Sequence, residues 1–160
     1  MKTIFMRKNL FALLAGAFLA TAAVSCSKED NTTGNTETYN TTGNASGSQQ
    51  SPAVTTAGSG SLAGTYDART NNWQYTINWS TLTSAATAVQ LFGPANAGVN
   101  GNMLLALTIT TPGINGSASG NVTLTEQQEA WLLAGQLYYS VITATNISGE
   151  VRGQVTATTN

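Results

Sequence analysis

The sequence predicts an all-β domain, an antiparallel β-sandwich or Greek-key barrel of about seven strands with one short helix near residues 126–134. Three observations lead there. From Ser61 onward, runs of β-branched, aromatic and aliphatic residues recur between Gly, Asn and Pro clusters spaced about every 8 to 12 residues. One run, Trp73-Gln74-Tyr75-Thr76-Ile77-Asn78-Trp79, alternates apolar and polar residues with the period of a strand that has one face in a core. Only one segment combines helix start and stop signals.

Taken in order, Leu62-Ala63-Gly64-Thr65-Tyr66 is expected to be a short, edge-like strand, with a turn at Asn71-Asn72 before the Trp73–Trp79 strand. The four apolar positions of that strand are expected in the core, although a row of aromatics can also form a sugar-binding platform. Leu82–Ala86 leads into a strand over Ala88–Phe92, ended by Gly93-Pro94-Ala95 because proline cannot donate to a ladder. A loop over Asn96–Asn102, a strand over Met103–Thr110, a connection over Thr111–Ser119 and a strand over Gly120–Leu124 follow. Thr125-Glu126-Gln127-Gln128 fits a capping box, Ala130 to Ala134 propagate the helix, and Gly135 suits its left-handed end. The last feature is a hairpin, with strands in Leu137–Thr143 and Glu150–Val155 flanking a turn at Ala144–Gly149.

The residues ahead of this domain, 61–160, form two further regions. Residues 1–25 have the three-part layout of a signal peptide: Lys2, Arg7 and Lys8, the apolar run Leu10–Ala20, then small residues ending at Ser25. The apolar run is too short for a comfortable membrane span. Such a leader fits ordinary cleaved secretion, but Ala23-Val24-Ser25-Cys26 resembles a bacterial lipobox, in which Cys26 becomes the lipidated first residue of the mature chain. Several acyl chains there, palmitate among them, would anchor the protein, because each buried methylene contributes about 0.8 kcal/mol. Ser27-Lys28-Glu29-Asp30 resembles the short signal that sends lipoproteins of the Bacteroidetes to the outer face of the outer membrane; the plainer reading is a few solvated charges. Asn31–Gly60 is nearly all Asn, Thr, Gly, Ser, Gln and Ala, so residues 26–60 are expected to form a disordered tether. As a flexible coil it would span roughly 30 Å.

Composition narrows the function. Charged residues make up 8% of the 160, with six Lys and Arg against seven Asp and Glu, so no basic surface offers itself to nucleic acid. There is no histidine and Cys26 is the sole cysteine, which removes the usual metal-ligand sets and every Cys or His nucleophile-base pair. A Ser-Lys dyad is excluded in the domain because no lysine follows Lys28. No cofactor is expected. The most conspicuous motif is Gly149-Glu150-Val151-Arg152-Gly153-Gln154, whose Glu150 and Arg152 lie two apart on a strand and share a face. They form either a recognition or acid-base pair, or an ion pair or hydrogen-bond anchor for the last strand.

Several motifs occur in the order found in the CHRD domain, named after chordin. They are Thr65-Tyr66-Asp67, Leu82-Thr83, Gly93-Pro94-Ala95 with Gly98 and Gly101, Val122-Thr123-Leu124-Thr125, Leu132-Leu133-Ala134-Gly135 with Leu137-Tyr138, and the Gly149–Gln154 motif. The chain resembles that family over about Leu62–Thr156. The resemblance implies an immunoglobulin-like sandwich or barrel, a layout similar to that of Cu/Zn superoxide dismutase, and no general enzymatic activity. Family members commonly carry two histidines before Gly-Pro-Ala and a third after Leu-Tyr. Here those places hold Gln90, Phe92 and Ile142, so no metal site is expected.

The expected role is therefore a lipid-anchored envelope module, at the outer membrane and facing the cell surface, with a non-catalytic binding or structural function. Its partner would be an envelope protein or a glycan. The alternatives are a carbohydrate-binding module using Trp73, Trp79, Trp131 or tyrosines, and a degenerate metal-dependent, dismutase-like enzyme.

Overall fold

The computed structural model describes residues 37–160; the leader and Cys26 lie outside them. Ten strands and one helix follow in chain order: β1 Thr38–Ser46, β2 Ser59–Asp67, β3 Asn72–Ser80, β4 Ala86–Gly93, β5 Asn102–Leu107, β6 Ile109–Thr111, β7 Gly116–Thr123, α1 Glu126–Leu133, β8 Tyr138–Thr143, β9 Val151–Gln154 and β10 Thr156–Thr159. All pairings between them are antiparallel. The strand order is β5-β4-β8-β9-β1-β2-β3-β7-β6, with β10 beside β1. β5 and β6 stand at opposite ends of that order, yet Thr108 alone separates them in the chain. The sheet must therefore roll round until its two edges nearly meet, and the sandwich-or-barrel alternative resolves as a nearly closed barrel. At the seam the Thr108 amide donates to Tyr75 Oη at 3.0 Å, and the Ser119 amide donates to the Thr108 carbonyl at 3.1 Å.

Trp73, Tyr75, Ile77 and Trp79 all point into the barrel, as their alternation predicts. Trp73 is 0% exposed and Trp79 is 4% exposed, so neither ring belongs to a surface platform; Trp131 packs half-buried against the same core. Each buried aromatic has a partner for its polar tip, as burial requires. Trp73 Nε1 donates to Thr41 Oγ1 at 2.9 Å, Trp79 Nε1 to the Gly113 carbonyl at 3.0 Å, and Tyr139 Oη to the Gly43 carbonyl at 3.1 Å. The helix starts as expected: the Gln128 amide donates to Thr125 Oγ1 and the Thr125 amide to Gln128 Oε1. Gly135 closes it at φ +68°. The C-terminal hairpin is present as β8 and β9, pairing Tyr138 with Gln154 and Val141 with Val151.

The expected tether over residues 26–60 is corrected from Thr38 onward. Residues 38–46 form β1, which pairs with β2 along its whole length and with β10 and β9 on its other side. Its inward residues Thr41, Gly43 and Ala45 are small because large rings from other strands fill the space above them. A Cβ at Gly43 would lie 2.5 Å from the Gln154 carbonyl oxygen and 3.4 Å from the Tyr139 ring. A strand whose core face is glycine and alanine has the composition of a linker, although it lies within the sheet.

The same cause shifts other boundaries and raises the strand count from about seven to ten. β7 begins at Gly116, four residues before the expected Gly120, since Gly116 and Gly120 lie against Trp79 and Tyr75. β2 runs nine residues between β1 and β3, so it is an interior strand and not the short edge strand expected. The expected Met103–Thr110 strand divides at Thr108 because the chain passes there from one edge of the barrel to the other. Leu82–Ala86 precedes β4 and belongs to it only at Ala86.

Candidate functional site

The charged motif of β9 and the connections lying over it form the candidate site. Strand alternation sends Val151, Gly153 and Val155 into the barrel, all buried, so Glu150, Arg152 and Gln154 share the opposite face. Each of the three is bonded to segments distant in the chain.

Glu150 is 0% exposed. Its Oε1 accepts from Thr56 Oγ1 at 2.7 Å and from the Thr83 amide at 2.8 Å, while Oε2 accepts from Thr83 Oγ1 at 2.7 Å and Thr143 Oγ1 at 2.9 Å. Burial pushes its carboxyl up, but these hydrogen bonds from Thr56, Thr83 and Thr143 outweigh it and hold the pKa below the ordinary value. A carboxylate offers about four acceptor positions, and all are filled by the chain itself. That occupancy leaves it poorly placed to take a substrate proton.

Arg152 is 1% exposed. Its Nη2 donates to the carbonyls of Asn96 at 3.3 Å and Val99 at 2.8 Å, and Nη1 reaches Asn100 Oδ1 at 3.4 Å, so it ties down the loop between β4 and β5. The guanidinium carbon lies 3.5 Å from the centroid of the Tyr138 ring. Burial pulls the guanidinium below its ordinary pKa, and Tyr138 opposes that shift. Gln154 Nε2 donates to the carbonyls of Ala95 and Gly135, both at 2.8 Å, linking the same loop to the end of α1. No hydrogen bond joins Glu150 to Arg152; the two side chains bond to different partners and form no ion pair with each other.

The three positions where the resemblance implies histidine also come together on this outer face. Across β4 and β8, Ala88 pairs with Ile142, Gln90 with Ser140 and Phe92 with Tyr138. Phe92 stacks on Tyr138 with centroids 5.1 Å apart and planes 6° apart, so an aromatic pair backs the guanidinium where an imidazole would stand. Gln90 and Ile142 are half-buried. Among the described residues, no group of three or more His, Cys, Asp and Glu side chains is placed to share a metal ion.

Sequence reasoning missed the segment that covers this face. After β1, a 3-10 turn at Gly47–Gln49 and the chain through Thr56 run across β9. Gln50 Nε2 donates to Ser140 Oγ at 2.8 Å, and Thr56 reaches Glu150. Gln50, Ser51 and Pro52 are flanked by three open cavities of about 220, 270 and 300 Å³. A faint signal was there to read, since Asn40, Thr42, Asn44, Ser46 and Ser48 alternate with Tyr39, Thr41, Gly43, Ala45 and Gly47. The inward set is too small to register as apolar.

A family model described as the CHRD domain matches residues 41–155. The chain belongs to the CHRD family. No curated protein and no solved structure matches it. The CHRD match starts within β1, some 20 residues before Leu62, in accord with the place of that strand in the sheet. In this CHRD domain, the Glu-Val-Arg-Gly-Gln run works as a clamp: alternate residues pack the core, while the polar ones hold four connections against the barrel wall.

Proposed function

We propose that this CHRD protein is a lipid-anchored module of the cell envelope with a non-catalytic binding or structural role. The observation that carries the reading is the full commitment of Glu150 to Thr56, Thr83 and Thr143 and of Arg152 to the Asn96–Asn100 loop, which leaves the motif's charges serving the fold. The leader, the lipobox-like Ala23-Val24-Ser25-Cys26 and the acidic Ser27–Asp30 segment support anchoring at the outer membrane, with the domain facing outward. With β1 counted in the domain, the folded part of the chain begins by Thr38.

Growth with labelled palmitate tests the anchor: label should enter the wild type and be lost in Cys26→Ser. Protease added to intact cells should remove the domain; full protection would refute surface exposure. A glycan array with a pull-down from envelope extract searches for the partner.

A further inference from the structure

Among the described residues, Gln154 Oε1 is the one buried side-chain polar atom with no hydrogen-bond partner in the protein. The orientation of its amide is fixed, because Nε2 donates to the Ala95 and Gly135 carbonyls, both at 2.8 Å. Turning the amide over would set its oxygen against those two oxygens and lose both bonds. Gln154 therefore keeps an unmatched acceptor closed to bulk water, a costly arrangement that a donor seated against it relieves. The residue lines the cavity of about 220 Å³ beside the 3-10 turn, together with Gln49 and Gln50. Gln49 Nε2 already donates to the Asn44 carbonyl at 2.8 Å and to Ser46 Oγ at 3.3 Å, and Gln50 Nε2 gives one hydrogen to Ser140 Oγ at 2.8 Å. With these amide nitrogens drawn to other groups, the glutamines of the wall offer acceptors in excess of donors.

We propose that this cavity binds a neutral sugar unit, one of whose hydroxyls donates to Gln154 Oε1. An acceptor-rich wall selects a donor, and a carboxylate has no hydrogen to give. Arg152, which also lines the cavity, does not change that: it is 1% exposed and its Nη2 is committed to the Asn96 and Val99 carbonyls. An ammonium group would donate, but it would set a second positive charge near that guanidinium in a wall without an acidic side chain. A hydroxyl donates without charge. The volume of about 220 Å³ equals that of about seven waters in the liquid, room for a single sugar ring. A free monosaccharide and the terminal unit of a glycan share this chemistry. The proposal gives the binding role above a ligand class and rests on that reading; because it is tested on purified protein, it can fail while membrane anchoring and a structural role hold.

The test is an NMR titration of the ¹⁵N-labelled intact protein in detergent, following the side-chain Nε2 resonances of Gln154. Glucose, galactose and mannose are the probes, and at least one is expected to shift those resonances saturably. Tetrahydropyran, the same ring without hydroxyls, is expected to leave them in place. The uronic acid and the protonated amino sugar of the hexose that binds should bind more weakly by about 10-fold or more, a change of about 1.4 kcal/mol. Equal binding of the methyl glycoside marks the terminal unit of a glycan as the source, and its loss marks the free sugar. Ala53 and Ala97 are exposed on the cavity wall, so Ala53→Trp and Ala97→Trp should fill the space and weaken binding by about 10-fold or more while Tm holds. The proposal is overturned by no saturable response to any of the three hexoses, by an equal response to tetrahydropyran, by charged forms that bind as tightly, or by unchanged binding in both tryptophan variants.

Discussion

Replacing Glu150 by Gln keeps the shape of the side chain and removes its charge, so it separates an anchoring carboxylate from a passive one. The glutamine oxygen is expected to take the Oε1 place, because the Thr83 amide there can only donate. The new NH₂ group then faces the hydroxyls of Thr83 and Thr143, which now donate to Oε2. Both hydroxyls must turn to accept, and each already accepts from Asn146, at 3.2 Å from Nδ2 and 3.1 Å from the amide. Hydrogen bonds to a charged group contribute about 1.5–3 kcal/mol each and neutral ones about 1 kcal/mol. Weakening four of them, partly relieved by rearrangement, gives an expected loss of about 2–4 kcal/mol. For a domain of this size that lowers Tm by roughly 10 °C.

The effect also has a pH signature. The folded pKa of Glu150 lies below its ordinary value of 4.5, so the folded state binds fewer protons there than the unfolded chain does. Its contribution is fully present above 4.5 and is lost as pH falls through the lower folded value. The Tm gap between wild type and Glu150→Gln should be wide near neutral pH and should close as the solution is acidified below about pH 4. Calorimetry at a series of pH values measures it. A change within about 0.5 kcal/mol, or a gap that stays constant into acid, would refute the anchoring role.

Gly149 has φ +112°, and an added Cβ would sit 2.3 Å from Ser140 Oγ and 2.4 Å from Gln50 Nε2. Gly149→Ala should therefore cost about 2–4 kcal/mol in urea unfolding by combining backbone strain with loss of the Gln50–Ser140 bond. Thr41→Val leaves the buried Trp73 Nε1 without its acceptor and should lower stability by about 1–3 kcal/mol, followed by tryptophan fluorescence; an unchanged midpoint would remove β1 from the core. Deleting residues 38–46 should abolish cooperative unfolding, because β1 joins β2 to β9 and β10. Titration of the purified protein with Cu²⁺ or Zn²⁺ should give no stoichiometric uptake, and tight equimolar binding would overturn the reading of Phe92 and Ile142 as substitutes for metal ligands.

Elements whose core face is made of large side chains were legible in the sequence. Trp73, Tyr75, Ile77 and Trp79 mark β3 by alternation, and the capping residues Thr125 and Gln128 mark the start of α1. β1 and the first half of β7 were not legible, because Thr41, Gly43, Ala45, Gly116 and Ala118 supply vacant volume and not bulk. The alternation of Glu150, Arg152 and Gln154 placed them on one face, but their partners Thr56, Asn96 and Gly135 lie 94, 56 and 19 residues away. Nothing local encodes those pairings.

The sequence by itself determined the all-β class, the helix, the terminal hairpin and the absence of histidine chemistry, since each follows from residue type or short-range period. Only the tertiary structure decided that the sheet rolls into a barrel, that a linker-like stretch is one of its strands, and that Glu150 and Arg152 anchor separate loops. Those outcomes depend on which large side chain fills the space that a distant small one leaves, a relation that exists only once the strands are side by side.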